Sequence, residues 1–162
     1  IPWNFPVFLM AFKLPAALLA GNSIVIKPAP TTPLTTLRFG ELIANVLPAG
    51  LVNIIADKND LGDKITTHKG ISKISFTGST ATGSRVLASA ASTLKRVTLE
   101  LGGNDAGIVM DDVDVEAVAP QIFDGAFGNN GQICIAMKRV YAHESIYDKF
   151  VDQLRNWPKR PL

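Results

Sequence analysis

Cys134 is the only cysteine in 162 residues, so no disulfide can form within the chain. A disulfide-stapled fold is excluded, and a reducing, cytoplasmic location is expected. Histidine is nearly as scarce. His68 and His143 lie far from each other and from Cys134, which gives no metal-ligand spacing, and no metal is expected. Excess charge of either sign is also missing. The 16 Lys and Arg against 14 Asp and Glu leave a net charge of +2, and the basic residues do not cluster. Neither nucleic acid nor a membrane surface is therefore an expected partner. The longest apolar stretch, Pro15 to Ile26, is interrupted by Gly21, Asn22 and Ser23 and is too short to span a bilayer. No basic segment precedes an apolar core, so a signal peptide is not expected. The dinucleotide fingerprint G-x-G-x-x-G is absent as well. Gly78 and Gly83 have P-loop spacing, but Ser84-Arg85 follows them, which excludes a Walker A loop.

What is present is enough apolar material for a core: 47% of residues are hydrophobic and 19% charged. Phe8 to Leu19 reads as a helix with Pro15 as a kink. Ser23 to Lys27 is a short β-branched strand. Thr32 is placed to cap a helix with Pro33 at its first position, and Leu34, Leu37, Ile43, Val46 and Leu47 give it an apolar face. Leu51 to Ala56, Lys73 to Thr77 and Arg96 to Leu101 read as strands. They are separated by helices over Asn59 to Thr67 and Ser79 to Leu94, the latter with Val86, Leu87, Ala90, Ala91 and Leu94 inward. Strand and helix alternate across short loops, which predicts an α/β fold, a Rossmann-like parallel sheet with helices on both faces.

The character changes after Gly102-Gly103. An acidic loop with Asp111, Asp112 and Asp114 leads to a helix over Val115 to Phe127, a strand over Arg139 to His143 and a helix over Ile146 to Trp157. A domain boundary is read near Gly102, with residues 1–102 as one α/β domain and residues 103–162 as the start of a second, too short for a comfortable core of its own. The chain begins at Ile1 without Met, and the tail Trp157 to Leu162 breaks an amphipathic pattern, so both ends read as cut from a longer enzyme.

The chemistry-bearing residues each have a plain reading and a functional one. Phe76-Thr77-Gly78-Ser79 joins a strand to a helix. It is an ordinary capped turn, or a phosphate site where Gly78 permits close backbone approach, Ser79 offers a hydroxyl and the helix N-terminus attracts an anion. Lys27 is a solvated strand-end lysine, or a ligand for ribose or phosphate at the carboxyl edge of the sheet. Glu100 is an exposed edge residue, or a partly buried general base. Cys134, between Ile133 and Ile135, is an inert core thiol. Alternatively, held by the Gly128-Asn129-Asn130-Gly131 bend, it is a nucleophile for a carbonyl carbon. Asn4, between Pro2 and Pro6, is part of a rigid turn, or an amide donor to an oxyanion.

The segments Pro2-Trp3-Asn4-Phe5-Pro6, Lys27-Pro28-Ala29, Phe76-Thr77-Gly78-Ser79, Glu100-Leu101-Gly102-Gly103 and Gly131-Gln132-Ile133-Cys134, in that order, resemble the aldehyde dehydrogenase superfamily along nearly the whole chain. The resemblance implies NAD(P)-dependent oxidation of an aldehyde to a carboxylic acid. Cys134 matches the nucleophile that forms a thiohemiacetal and then a thioester, and Glu100 matches the base that activates water to hydrolyse it. Asn4, with the Cys134 backbone N–H, matches the oxyanion donors. Trp3 and Ser79 match pyrophosphate contacts, Thr77 and Gly78 line the nicotinamide end, and Lys27 contacts ribose. The implied cofactor is NAD, with NADP open, because Pro30 stands where many NAD-preferring members carry a Glu for the adenosine ribose diol. The implied partners are a small-molecule aldehyde and, for the full-length enzyme, further copies of itself. Two competing readings stand beside this one: a truncated dinucleotide-binding fragment without turnover, and an esterase using the Cys134 thiol without cofactor.

Overall fold

Pro6 opens the first helix, where its missing N–H costs nothing. This helix, α1 (Pro6–Leu19), continues through Pro15 and turns Met10 and Leu14 inward onto Ile26. The computed structural model describes residues 1–157; residues 158–162 of the Trp157 to Leu162 tail lie outside the described residues. Two compact units are resolved, residues Ile1–Leu101 and Gly102–Leu162.

In the first unit α1 is followed by β1 (Ile24–Ile26), α2 (Leu34–Ile43), β2 (Val52–Ile54), α3 (Gly62–Thr67), β3 (Lys73–Thr77), α4 (Thr80–Ala91) and β4 (Arg96–Glu100). Strands β1 and β2 pair in parallel from Ile24 with Val52 to Ile26 with Ile54. Strands β3 and β4 pair in parallel from Lys73 with Arg96 to Thr77 with Glu100. The α/β class with parallel strands is thus as expected. The single continuous sheet is not: among the described residues each strand has one hydrogen-bonded neighbour, giving separate parallel pairs.

Helix α2 departs from its expected face. No side chain caps it, and Thr32 instead donates its hydroxyl to the Trp3 carbonyl at 3.4 Å. Leu34 and Val46 are 76% and 75% exposed, whereas Thr36 is fully buried. Leu37, Ile43 and Leu47 are half-buried as expected, and Val46 lies beyond the helix end at Ile43. Gly40 permits a close approach on the inner side: a β-carbon there would stand 2.8 Å from Ile54 Cδ1. In α4, Val86 and Ala90 pack on Ile74 as expected. Leu87, Ala91 and Leu94 do not and are exposed; the helix ends at Ala91, and Leu94 lies in a left-handed turn beyond it (φ 52°).

The second unit contains β5 (Asp105–Val109), α5 (Val115–Phe127), β6 (Met137–Ala142) and α6 (Tyr147–Asn156), with β5 and β6 parallel. Asp114 caps α5 by accepting the Glu116 N–H at 3.0 Å. Contrary to the expectation of a poor core, Val109, Val115, Ala119, Ile122 and Phe150 form a buried cluster. Burying the Phe150 side chain alone is worth about 1.5–3 kcal/mol.

Candidate active and cofactor-binding sites

The parallel register of β3 and β4 sets Thr77 beside Glu100 at the carboxyl ends of both strands. The chain continues from Thr77 into Gly78, whose N–H donates to the Glu100 carbonyl at 3.0 Å. That donor is therefore engaged within the sheet and not offered to a ligand. Ser79 then caps α4, its hydroxyl oxygen accepting the Thr82 N–H at 3.2 Å. Helix geometry leaves the N–H groups of Thr80 and Ala81 without an intrahelical acceptor, on an exposed, electropositive helix end.

Glu100 is exposed at the end of β4, so the partial burial expected of it is not present. Alternation along β4 explains this: Val97 and Leu99 turn toward the core formed with Ile74 and Val86, which directs Thr98 and Glu100 outward. The charge facing Glu100 comes from Lys13 in α1. Its ammonium donates to Thr77 Oγ1 at 2.8 Å and to the Ser75 carbonyl at 3.4 Å. Burial pulls the Lys13 pKa below its ordinary value, and the Glu100 carboxylate opposes that shift.

Lys27 follows β1 and is not a solvated lysine. Its ammonium pairs with Asp57 Oδ1 at 2.9 Å and donates to the Pro28 carbonyl at 3.3 Å. The Asp57 side chain is fully buried, and its Oδ2 accepts the Leu61 N–H at 3.1 Å. Desolvation would raise the Asp57 pKa, but the hydrogen bonds from Lys27 and from the Leu61 N–H, with the Lys27 charge, carry it below the ordinary aspartate value. Trp3 is half-exposed and Asn4 partly buried at the start of the chain.

In the second unit Cys134 is exposed, which removes the inert core thiol from consideration. It follows a run of left-handed residues, Asn129 (φ 49°), Asn130 (φ 58°) and Gly131 (φ 73°). Asparagine and glycine are the residue types that tolerate this conformation. The run also explains the bend seen in the sequence. A β-carbon on Gly103 would fall onto the Cys134 carbonyl oxygen, so the second glycine of Gly102-Gly103 lets the two backbones touch. Lys138 donates to the Gly131 carbonyl and ties down the same bend. Both histidines are engaged locally. His68 Nδ1 accepts the Gly70 N–H at 3.0 Å, and His143 Nδ1 lies 2.9 Å from Ser145 Oγ.

The donor set at the strand ends of the first unit suits a dinucleotide. It offers the Thr80 and Ala81 N–H groups for phosphate oxygens, beside the Ser79 hydroxyl, which donates to Thr82 Oγ1 at 3.0 Å, and a partly engaged lysine for a ribose hydroxyl. Among the described residues no group of three His, Cys, Asp or Glu side chains is placed to hold a metal ion, and no helix is long and apolar enough to cross a membrane. The sequence profile of the aldehyde dehydrogenase family matches residues 1–159. The chain belongs to the aldehyde dehydrogenase family.

A mitochondrial aldehyde dehydrogenase of Leishmania tarentolae is 48% identical over 158 residues, covering 96% of this chain and 32% of that protein. Among solved structures, the Pseudomonas protein PnpE in complex with nicotinamide adenine dinucleotide superposes with a TM-score of 0.91 at 44% identity, over 94% of this chain and 32% of that one. An NADP-dependent enzyme of E. coli does so with a TM-score of 0.92 at 37% identity, over 95% and 32% of the two chains. This aldehyde dehydrogenase chain thus spans about a third of the length of the curated relatives it matches.

Sequence reasoning missed Lys13 and Asp57. Both bear charge in positions that look solvated along the chain, and their partners lie 64 and 30 residues away. Lys13 lay within the helix read over Phe8 to Leu19, but nothing along the chain marked its partner on β3. The close approach of Gly103 to Cys134 was likewise invisible until the chain was folded.

Proposed function

We propose that the protein oxidises an aldehyde to a carboxylic acid with NAD, through a thioester on Cys134. The exposed thiol at the end of the left-handed Asn129-Asn130-Gly131 turn is the observation that carries this reading. Cys134 Sγ attacks the aldehyde carbon, and the oxygen that gains charge is held by the Asn4 amide and the Cys134 N–H. A bound nicotinamide supplies the hydride acceptor for this chemistry. Glu100 takes a proton from the water that hydrolyses the thioester, releasing the acid and restoring the thiol. Trp3, Ser79 and the open N–H groups of α4 bind the pyrophosphate, Thr77 and Gly78 line the nicotinamide end, and Lys27 binds a ribose.

On this reading, residues 1–102 are a Rossmann-like cofactor domain and residues 103–162 begin the catalytic domain. The enzyme is cytoplasmic and assembles from identical copies. The length spanned favours a second reading for the chain by itself, cofactor binding without turnover. Titrating the chain with NAD while assaying aldehyde oxidation separates the two. Turnover supports the enzyme reading for this chain, binding alone supports the fragment reading, and absence of binding contradicts both.

A further inference from the structure

The family resemblance places Pro30 where many NAD-preferring members carry a carboxylate for the adenosine ribose. The strand ends of the first unit nevertheless contain a carboxylate, contributed by a different segment. Asp57 lies just past β2, and Lys27 just past β1. Because β1 and β2 run parallel with Ile26 opposite Ile54, both residues leave the same carboxyl edge. Their side chains meet at 2.9 Å, with Asp57 fully buried and Lys27 still 24% exposed.

We propose that Asp57, acting through Lys27, gives this site a preference for NAD over NADP; the inference rests on the cofactor reading above. A lysine ammonium has three donors. Asp57 Oδ1 and the Pro28 carbonyl engage two of them. The third suits a neutral ribose hydroxyl, which needs a single hydrogen bond and no net charge. A 2′-phosphate needs uncompensated positive charge. Here the lysine charge is already matched by a buried carboxylate. The adjoining Lys58-Asn59-Asp60 run adds no surplus, with one lysine against one aspartate. Both Asp57 oxygens are occupied, by Lys27 and by the Leu61 N–H, so Asp57 is a positioning residue and does not itself touch cofactor.

Calorimetric titration of the chain with NAD and with NADP tests this. The unaltered chain is expected to bind NAD about tenfold or more tightly than NADP. Asp57→Asn is expected to shift that ratio about tenfold toward NADP while NAD affinity changes little, and Asp57→Glu is expected to keep the original preference. Parallel weakening of both cofactors in Asp57→Asn would mark a purely structural role and overturn the proposal. Equal binding of NAD and NADP by the unaltered chain overturns it too, whether or not the variants fold. Binding of neither cofactor overturns the cofactor site itself, and the proposal with it.

Discussion

Gly103 lies so close to the carbonyl of Cys134 that a β-carbon on it would overlap the carbonyl oxygen. The neighbouring Gly102 has open space where its β-carbon would go. The glycine pair is thus asymmetric, and the asymmetry is testable. Gly103→Ala is expected to cost about 1–3 kcal/mol, because backbone must move. It is also expected to change the rate at which iodoacetamide alkylates Cys134. Gly102→Ala is expected to leave that rate alone. Equal effects of the two substitutions would contradict the contact.

The left-handed Asn130 gives a second expectation. Asn130→Ala is expected to cost about 1–2 kcal/mol in urea unfolding, since alanine has no side-chain amide to ease a positive φ. Asn130→Gly is expected to be neutral or stabilising. A more stable Ala variant would show that the bend is not left-handed in solution.

The Lys27–Asp57 pair predicts a pH dependence. The Asp57 pKa is lowered in the folded chain. Its contribution to stability is therefore fully present above the ordinary aspartate pKa and is lost as pH falls through the lower, folded value. Lys27→Met strands the buried carboxylate and is expected to cost about 3 kcal/mol at neutral pH. As pH falls and the carboxyl protonates, the penalty should shrink, because a neutral carboxyl no longer needs the lysine. Urea midpoints measured from neutral to acid pH check this, and a penalty independent of pH would contradict it.

Lys13 is expected to titrate below its ordinary 10.5, because burial disfavours its charge. The folded state then binds that proton less well than the unfolded chain, so this group's contribution to stability rises with pH between the folded value and 10.5. Glu100→Gln removes the opposing charge and should lower the Lys13 midpoint further. NMR titration of methylated lysines reads both. A Lys13 midpoint unmoved by Glu100→Gln would break the electrostatic link between α1 and β4.

Where local pattern and tertiary packing agree, the elements were legible in the sequence. K-I-S-F-T became β3, and the Asp114-capped run from Val115 to Phe127 became α5, with the expected bounds. Strand β5 was missed because Asp105 and Gly107 weaken its strand character. Gly107 is there for packing: a β-carbon would stand 2.9 Å from Met137 Sδ on the paired strand β6. The apolar face of α2 misled in the opposite way. Leu34 looked inward but is exposed, and Thr36, on the side where Gly40 closely approaches Ile54, is in the core. The candidate site follows the same division. Cys134, Glu100 and the Thr77-Gly78-Ser79 turn stand out along the chain. Lys13 and Asp57 acquire meaning only through partners on other elements.

The central claim is that Cys134 carries the acyl group. The intact protein is mixed with NAD and an aldehyde, quenched in acid and mapped by peptide mass spectrometry, with NADH release followed in parallel. The expected result is an acyl adduct on the Cys134 peptide that accumulates in Glu100→Gln, and loss of both adduct and NADH burst in Cys134→Ala. An NADH burst that survives in Cys134→Ala would contradict the account.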